Sequence, residues 1–207
     1  MRKVIISSQG RAITSSGKAN LIVDTTVPRG WRRLTGVVLD GNCYFGTGIK
    51  LKGSDTLRFS FSATKACNIL GCYTSTSATN NYSLYVSTTS GSKYLRYGNG
   101  TYNSYIATNT RYNVIITPTG SSGMRTDSSW SALTFEADDE MLIGTTSLNA
   151  TSAKWTGNQY GDIIVDGRLW LTPVENTGTG EICYYDLLTD TFHPNLGTGT
   201  PVALGYV

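Results

Sequence analysis

The sequence predicts an all-β fold, a two-layer antiparallel β-sandwich, and three observations carry that reading. Charged residues make up only 15% of the 207, against about 25% in ordinary soluble domains, and Gly, Ser, Thr, Asn and Tyr take their place, the composition of turns joining short strands. No window holds apolar residues at helical spacing over three turns. Turn clusters recur about every ten residues, a spacing that favours a sandwich over a parallel α/β sheet. No apolar run approaches the roughly 18 residues of a membrane span, so a soluble chain is expected.

Residues 1–33 stand apart by charge. Arg2, Lys3, Arg11, Lys18, Arg29, Arg32 and Arg33 face a single acid, Asp24, whereas residues 34–207 hold ten basic and thirteen acidic side chains. The first 33 residues therefore read as a basic arm with one or two short strands, free to dock on an acidic partner, with Trp31 as its apolar end; a plain solvated tail is the competing reading. The apolar run Val4-Ile5-Ile6 falls short of the about 7 to 15 residues of a secretory signal core. Residues 34–207 form one body.

Within the body, Thr56–Ser62 alternates cleanly, with Leu57, Phe59 and Phe61 on one face and Arg58 and Ser60 on the other, as the two-residue period of a half-buried strand requires. Tyr82–Val86 and Tyr94–Tyr97 flank the turn-rich stretch 88–92 and predict a hairpin. Asn113–Thr117, Met141–Gly144, Asp162–Val165 and Arg168–Leu171 supply further short strands. The polar, glycine-rich run 175–180 predicts an exposed loop.

Cysteine usage points away from metal and disulfide chemistry. Cys43, Cys67, Cys72 and Cys183 form no Cys-x-x-Cys pair, and one histidine cannot complete a usual zinc set, so the four are expected as buried free thiols in a chain folded in a reducing compartment. Sequons at Asn81, Asn99 and Asn149 then read as accidents of composition. No fixed-spacing oxygen cage for calcium is legible among Asp127, Asp138, Asp139 and Asp162. No cofactor is expected.

Two segments together resemble a known family. Leu39-Asp-Gly-Asn-Cys-Tyr-Phe-Gly-Thr-Gly-Ile49 is similar to the opening motif of LamG-type, concanavalin A-like jelly-roll domains of tailed-phage structural proteins, and Tyr185-Asp186, Phe192, Asn195 and Gly197-Thr-Gly199 match the closing motif. The resemblance covers about residues 35–205, with specific motifs only at its ends. It departs from the family at Thr189-Asp190, where an Asn-Gly turn is common, so a different or longer turn is implied. The resemblance implies a jelly roll whose first and last strands are neighbours. It also implies a virion protein, folded and assembled in the host cytoplasm, fixed to capsid or tail proteins through residues such as Arg2, Lys3, Arg11, Lys18 and Trp31. Such a module would be non-enzymatic, homo-oligomeric with trimers favoured, and devoted to host-surface or glycan adhesion.

Other chemistry competes with this reading. Glu136, Asp138 and Glu140 would share one face if their segment were a strand, the alternating-acid pattern of laminarinase-like glycosidases. Ala137 and Asp139 are poor strand formers, however, and four acids in five residues fit a solvated turn better. His193, followed by Pro194, has no nucleophile in a recognisable elbow. Eight of the thirteen tyrosines lie between residues 73 and 112. In the polar stretch Gly98–Tyr105, Tyr102 and Tyr105 with Asn99 and Asn103 have the composition of an adaptable binding surface, rings to stack on a sugar and amides to meet its hydroxyls. A loop packed on its own sandwich is the alternative. Nucleic acid is not expected as a partner, because the body is net acidic and phosphate contacts need cations. The sequence thus points to an adhesion module of a virion, with a glycoside hydrolase or a free carbohydrate-binding module as the competing readings.

Overall fold

Alternation of large apolar and small polar side chains, repeated along short segments, can bury one face only if two sheets meet, and that is the arrangement seen. The computed structural model describes residues 26–73, 79–146 and 154–207, together with the backbone of 3–6 and 12–15. In chain order the strands are β1 (Lys3–Ile6), β2 (Ala12–Ser15), β3 (Trp31–Asp40), β4 (Phe45–Gly46), β5 (Leu57–Ala63), β6 (Cys67–Cys72), β7 (Asn81–Val86), β8 (Lys93–Gly98) and β9 (Gly100–Asn103). They continue with β10 (Tyr112–Thr117), β11 (Gly120–Ser122), β12 (Ser128–Ser129), β13 (Leu142–Ile143), β14 (Thr156–Val165), β15 (Leu169–Asn176), β16 (Ile182–Asp186), β17 (Thr191–Pro194) and β18 (Val202–Tyr206). No helix occurs among the described residues.

β1 and β2 form an antiparallel hairpin. The body consists of two antiparallel sheets. One has the order β12-β11-β10-β5-β14-β3-β15-β16-β17, with β18 also on β3; the other has the order β4-β13-β6-β7-β8-β9. One contiguous core takes Leu57, Phe59 and Phe61 from the first sheet and Leu70, Tyr82, Leu84 and Tyr97 from the second. The period-two expectation for Thr56–Ser62 holds: Leu57, Phe59 and Phe61 are buried while Arg58 is exposed. The expected hairpin is β7–β8.

β3 acts as a wedge. β14 and β15 begin as a hairpin, pairing Val165 with Leu169 through Ile163 with Leu171, and then diverge. β3 enters the gap, with Gly36–Asp40 on β14 and Trp31–Arg33 on β15. At the fork β14 bulges between Tyr160 and Ile164, which turns Asp162 toward β3. Arg33 donates from Nη2 to both Asp162 oxygens at 2.8 and 2.6 Å and from Nε to Thr172 at 2.8 Å, while the Trp170 indole donates to Asp162 at 2.8 Å. A bulge leaves ladder groups unpaired and splays the strands; here one charge-assisted cluster bridges all three strands at that point.

This wedge corrects the boundary drawn at residue 33. Trp31, Arg32 and Arg33 lie in a body strand, and Trp31 is no free anchor: its ring packs on Phe192 at a centroid distance of 4.4 Å. Trp31, Val27, Trp170 and Phe192 join Val174, Cys183, Tyr185 and Leu187 in a small second core. Of the other proposed anchors, Arg2, Arg11 and Lys18 lie outside the described residues, and Lys3 lies on β1.

The Arg33–Asp162 pair is largely shielded, with side chains 28% and 15% exposed. Removing one partner strands the other charge. Asp162→Ala is therefore expected to lower unfolding stability by about 2 to 3 kcal/mol, and Arg33→Ala by a similar amount, with the double variant far from additive; chemical denaturation of the three variants checks this.

Candidate functional site

Gly98–Tyr105, read from sequence as a polar loop, is in its middle an edge strand, β9. Gly98 has φ 59° and opens the two-residue turn to β9, so that Gly100 pairs with Tyr97. Glycine at the first central position with positive φ suits a II′-type hairpin turn. β9 is one margin of the six-stranded sheet and β12 is one margin of the ten-stranded sheet. Between these two margins lies a shallow cleft of about 260 Å³, lined by Lys93, Thr101, Tyr102, Asn103, Asp127, Ser128 and Ser129.

The ring in this cleft is well supported. Tyr102 packs on Trp130 at 4.4 Å, Trp130 stacks on the buried Tyr97 at 4.9 Å, and the Tyr97 hydroxyl donates to Gly53 O at 2.5 Å. Tyr102 thus ends an aromatic column rooted in the core, held at low conformational-entropy cost. Asp127 is fixed by accepting from Gly123 N at 3.2 Å. Amide, hydroxyl, carboxylate and ammonium groups surround a half-buried ring, a combination that meets both the hydroxyls and the C–H face of a sugar.

Of the four sequence candidates, the cleft unites Tyr102 and Asn103. Tyr105 is elsewhere engaged: its hydroxyl accepts from Arg125 at 2.9 Å, and the same guanidinium lies 4.8 Å from its ring centroid. Asn99 is exposed at the hairpin turn and does not line the cleft. Lys93, Ser128, Ser129 and Trp130 escape a reading of the sequence. Ser128, Ser129 and Trp130 are signalled only by the polar run 126–129 ending in a tryptophan, and Lys93 by nothing, because strand-margin contacts between different sheets leave no local period.

The acidic segment forms no strand; its one ladder contact is an isolated bridge between Glu136 and Lys52. Three of its four acids have separate partners. Glu136 pairs with Lys52 at 3.1 Å, Asp138 accepts from Asn80 at 3.1 Å, and Glu140 accepts from Gly48 N at 2.8 Å. Between them Ala137 is buried and donates its N–H to Leu51 O. Glu136 and Glu140 therefore clasp the chain after β4, and Asp138 ties to the residue before β7, so the three have separate partners.

The C-terminal motif residues form a seam. Asn195 Oδ1 accepts from Tyr44 N and Gly197 N, while its amide donates to Gly199 O at 2.7 Å. Leu196 N donates to Tyr44 O, and Phe45 bridges Asn195. A Cβ at Gly197 would stand 1.9 Å from Asn42 O, so the backbone approach itself demands glycine. His193 holds the same seam, its Nδ1 2.9 Å from Gly46 O and therefore the protonated nitrogen. The turn before it runs over four residues, Leu187–Asp190, with Asp190 at φ 57°. Asp186 accepts from Leu188 N and the Thr189 hydroxyl, which explains the departure from Asn-Gly.

All four cysteines are buried and unpaired by disulfides, as expected. Burial pushes the thiols of Cys43 and Cys67 up to about 11 and those of Cys72 and Cys183 up to about 12. The nucleophilic thiolate is thus suppressed at neutral pH. The folded protein should show almost no reaction with Ellman's reagent at pH 8, and four thiols should react once guanidinium unfolds it. Comparison with protein-family models, curated proteins and solved structures gives no match in any of the three.

Proposed function

We propose that this chain is a non-enzymatic adhesion module of a phage particle: a jelly-roll sandwich attached to capsid or tail proteins through its basic N-terminal segment and displaying a glycan-binding cleft to the host surface. The observation that carries the binding role is the cleft between β9 and β12, where Tyr102 rests on Trp130 beside Asn103, Ser128 and Ser129. The jelly-roll reading draws support from the adjacency of β3, β4 and the C-terminal motif, and from the sequence resemblance at those two ends. The separate partners of Glu136, Asp138 and Glu140 favour adhesion over bond cleavage. Several copies on one particle, with trimers favoured, would turn a weak single site into avid attachment through high effective concentration.

A screen of the intact chain on immobilised host-surface glycans tests this reading. Tyr102→Ala should lower affinity by about tenfold or more, since stripping a stacking ring removes on the order of 1 to 2 kcal/mol. Asn103→Ala should weaken binding without disturbing the fold. Retained binding in both variants overturns the cleft assignment. Sugar hydrolysis abolished by Glu136→Gln would instead establish a hydrolase.

A further inference from the structure

The charge pattern of the chain leaves one strand bare. Residues 191–207 hold no Asp, Glu, Lys or Arg, and they include the marginal strand β18. Of the seven large apolar side chains exposed among the described residues, four fall within 202–207: Val202, Leu204, Tyr206 and Val207. Val202, Leu204 and Tyr206 alternate with the half-buried Ala203 and Gly205, so they share the outward face of β18. Beside Val202 in register, the half-buried Val38 of β3 widens that face. The result is an apolar ridge one to two strands wide and, at about 3.4 Å per residue, about 14 Å long.

The ridge is fixed in advance of any contact. Arg32 lies 3.7 Å over the Tyr206 ring and donates to its hydroxyl at 2.9 Å, while Glu175 neutralises Arg32 at 2.7 Å. Tyr206 is thus held in one place although 53% of it is exposed, and a ring ordered beforehand loses little entropy when a partner covers it. Bulges between Ala203 and Tyr206 break the regular ladder, which disfavours strand addition and leaves contact to the side chains.

The chemistry of the ridge selects its partner. Its only polar side-chain atom, the Tyr206 hydroxyl, is already bonded, so sugar hydroxyls find no side-chain partner there. Without a cation of its own it offers nothing to phosphates or anionic headgroups. An apolar protein surface remains. Near a symmetry axis a residue meets its own counterpart, a juxtaposition that like charges oppose and that a charge-free ridge beside an internally neutralised Arg32 permits. The location fits as well. β18 is six strand steps from β12, about 29 Å at about 4.8 Å per step, so copies joined at β18 keep their Tyr102 clefts at the far margin. Val207 N donates to Arg33 O at 3.2 Å, which sets the entry to β3 beside the ridge, so the same contact gathers the N-terminal segments of the copies. We infer that the β18 ridge is a self-association surface: a second copy of this chain covers it, with Val202, Leu204 and Tyr206 packing on their counterparts around a symmetry axis. This contact serves the several-copy attachment proposed above, and it is measured with no glycan present, so it fails or holds separately from the cleft.

A ridge this narrow falls short of the roughly 800 Å² per partner of a standard interface, so the association is weak and concentration-dependent. Sedimentation equilibrium of the intact chain, from about 10 μM to about 1 mM, should show a mass rising from 22.4 kDa toward an integer multiple of it. Val202→Lys and Leu204→Lys, both at exposed positions, should each raise the dissociation constant by about tenfold or more with far-UV circular dichroism unchanged. Tyr94→Ser, at a ring 47% exposed on the other sheet, should leave the constant as it is. A single species of 22.4 kDa at every concentration overturns the inference. Self-association that survives both lysine variants overturns it too, and assigns the contact to residues 1–25 or to another margin.

Discussion

The backbone ladder along β3 is the constraint on which the rest of the molecule depends. Val38 is opposite Asn158 of β14 on one side and Val202 of β18 on the other, so an early strand is clamped between two late ones. Closing such loops costs entropy before any contact repays it, so these pairings are among the most non-local in the fold. Once formed, it fixes the seam, because β4 follows β3 directly and brings Tyr44 and Phe45 to Asn195. It also fixes the fork at Arg33 and Asp162, which sets the position of Trp170 on the outer face.

How much of this is legible in sequence depends on whether the determining contacts are local. The period of Thr56–Ser62 predicts β5 and its buried face, because alternation is a property of the strand itself. The turn at Leu187–Asp190 is half legible: the missing Asn-Gly pair announces a longer turn, while the capping by Asp186 emerges only in the fold. Composition assigns Trp31 and Arg33 to the arm because it averages over a window, and a seven-to-one charge excess conceals that the last three residues of the basic segment begin a strand. Their partners, Phe192 and Asp162, lie more than a hundred residues away, where no local pattern reaches them.

The candidate site shows the same division. Composition alone points to Tyr102 and Asn103, yet the cleft that gives them meaning is made by two strand margins from different sheets. Tyr105 has the same composition and a different fate, taken up by Arg125. Residue type names a capacity, and topology decides whether it is available. The acidic segment makes the point in reverse: Glu136 and Glu140 alternate as on a strand in sequence but bond to Lys52 and Gly48 separately, because Ala137 between them is drawn into the core and anchors the segment to Leu51.

Open strand margins invite pairing with other chains unless they are blunted. At β18, bulges against β3 break the regular edge, and Arg32 lies 3.7 Å over the Tyr206 ring while bonding its hydroxyl and Glu175. The margin at β9 and β12 is treated differently, since the opposing sheets come close enough there for Trp130 to fill the gap beneath Tyr102. One margin is thus armoured by charge over an aromatic ring, and the other is plugged by an aromatic column whose last ring remains half open. The two edges are blunted by different means, and the unequal treatment is what sets the Tyr102 cleft apart from the margin at β18.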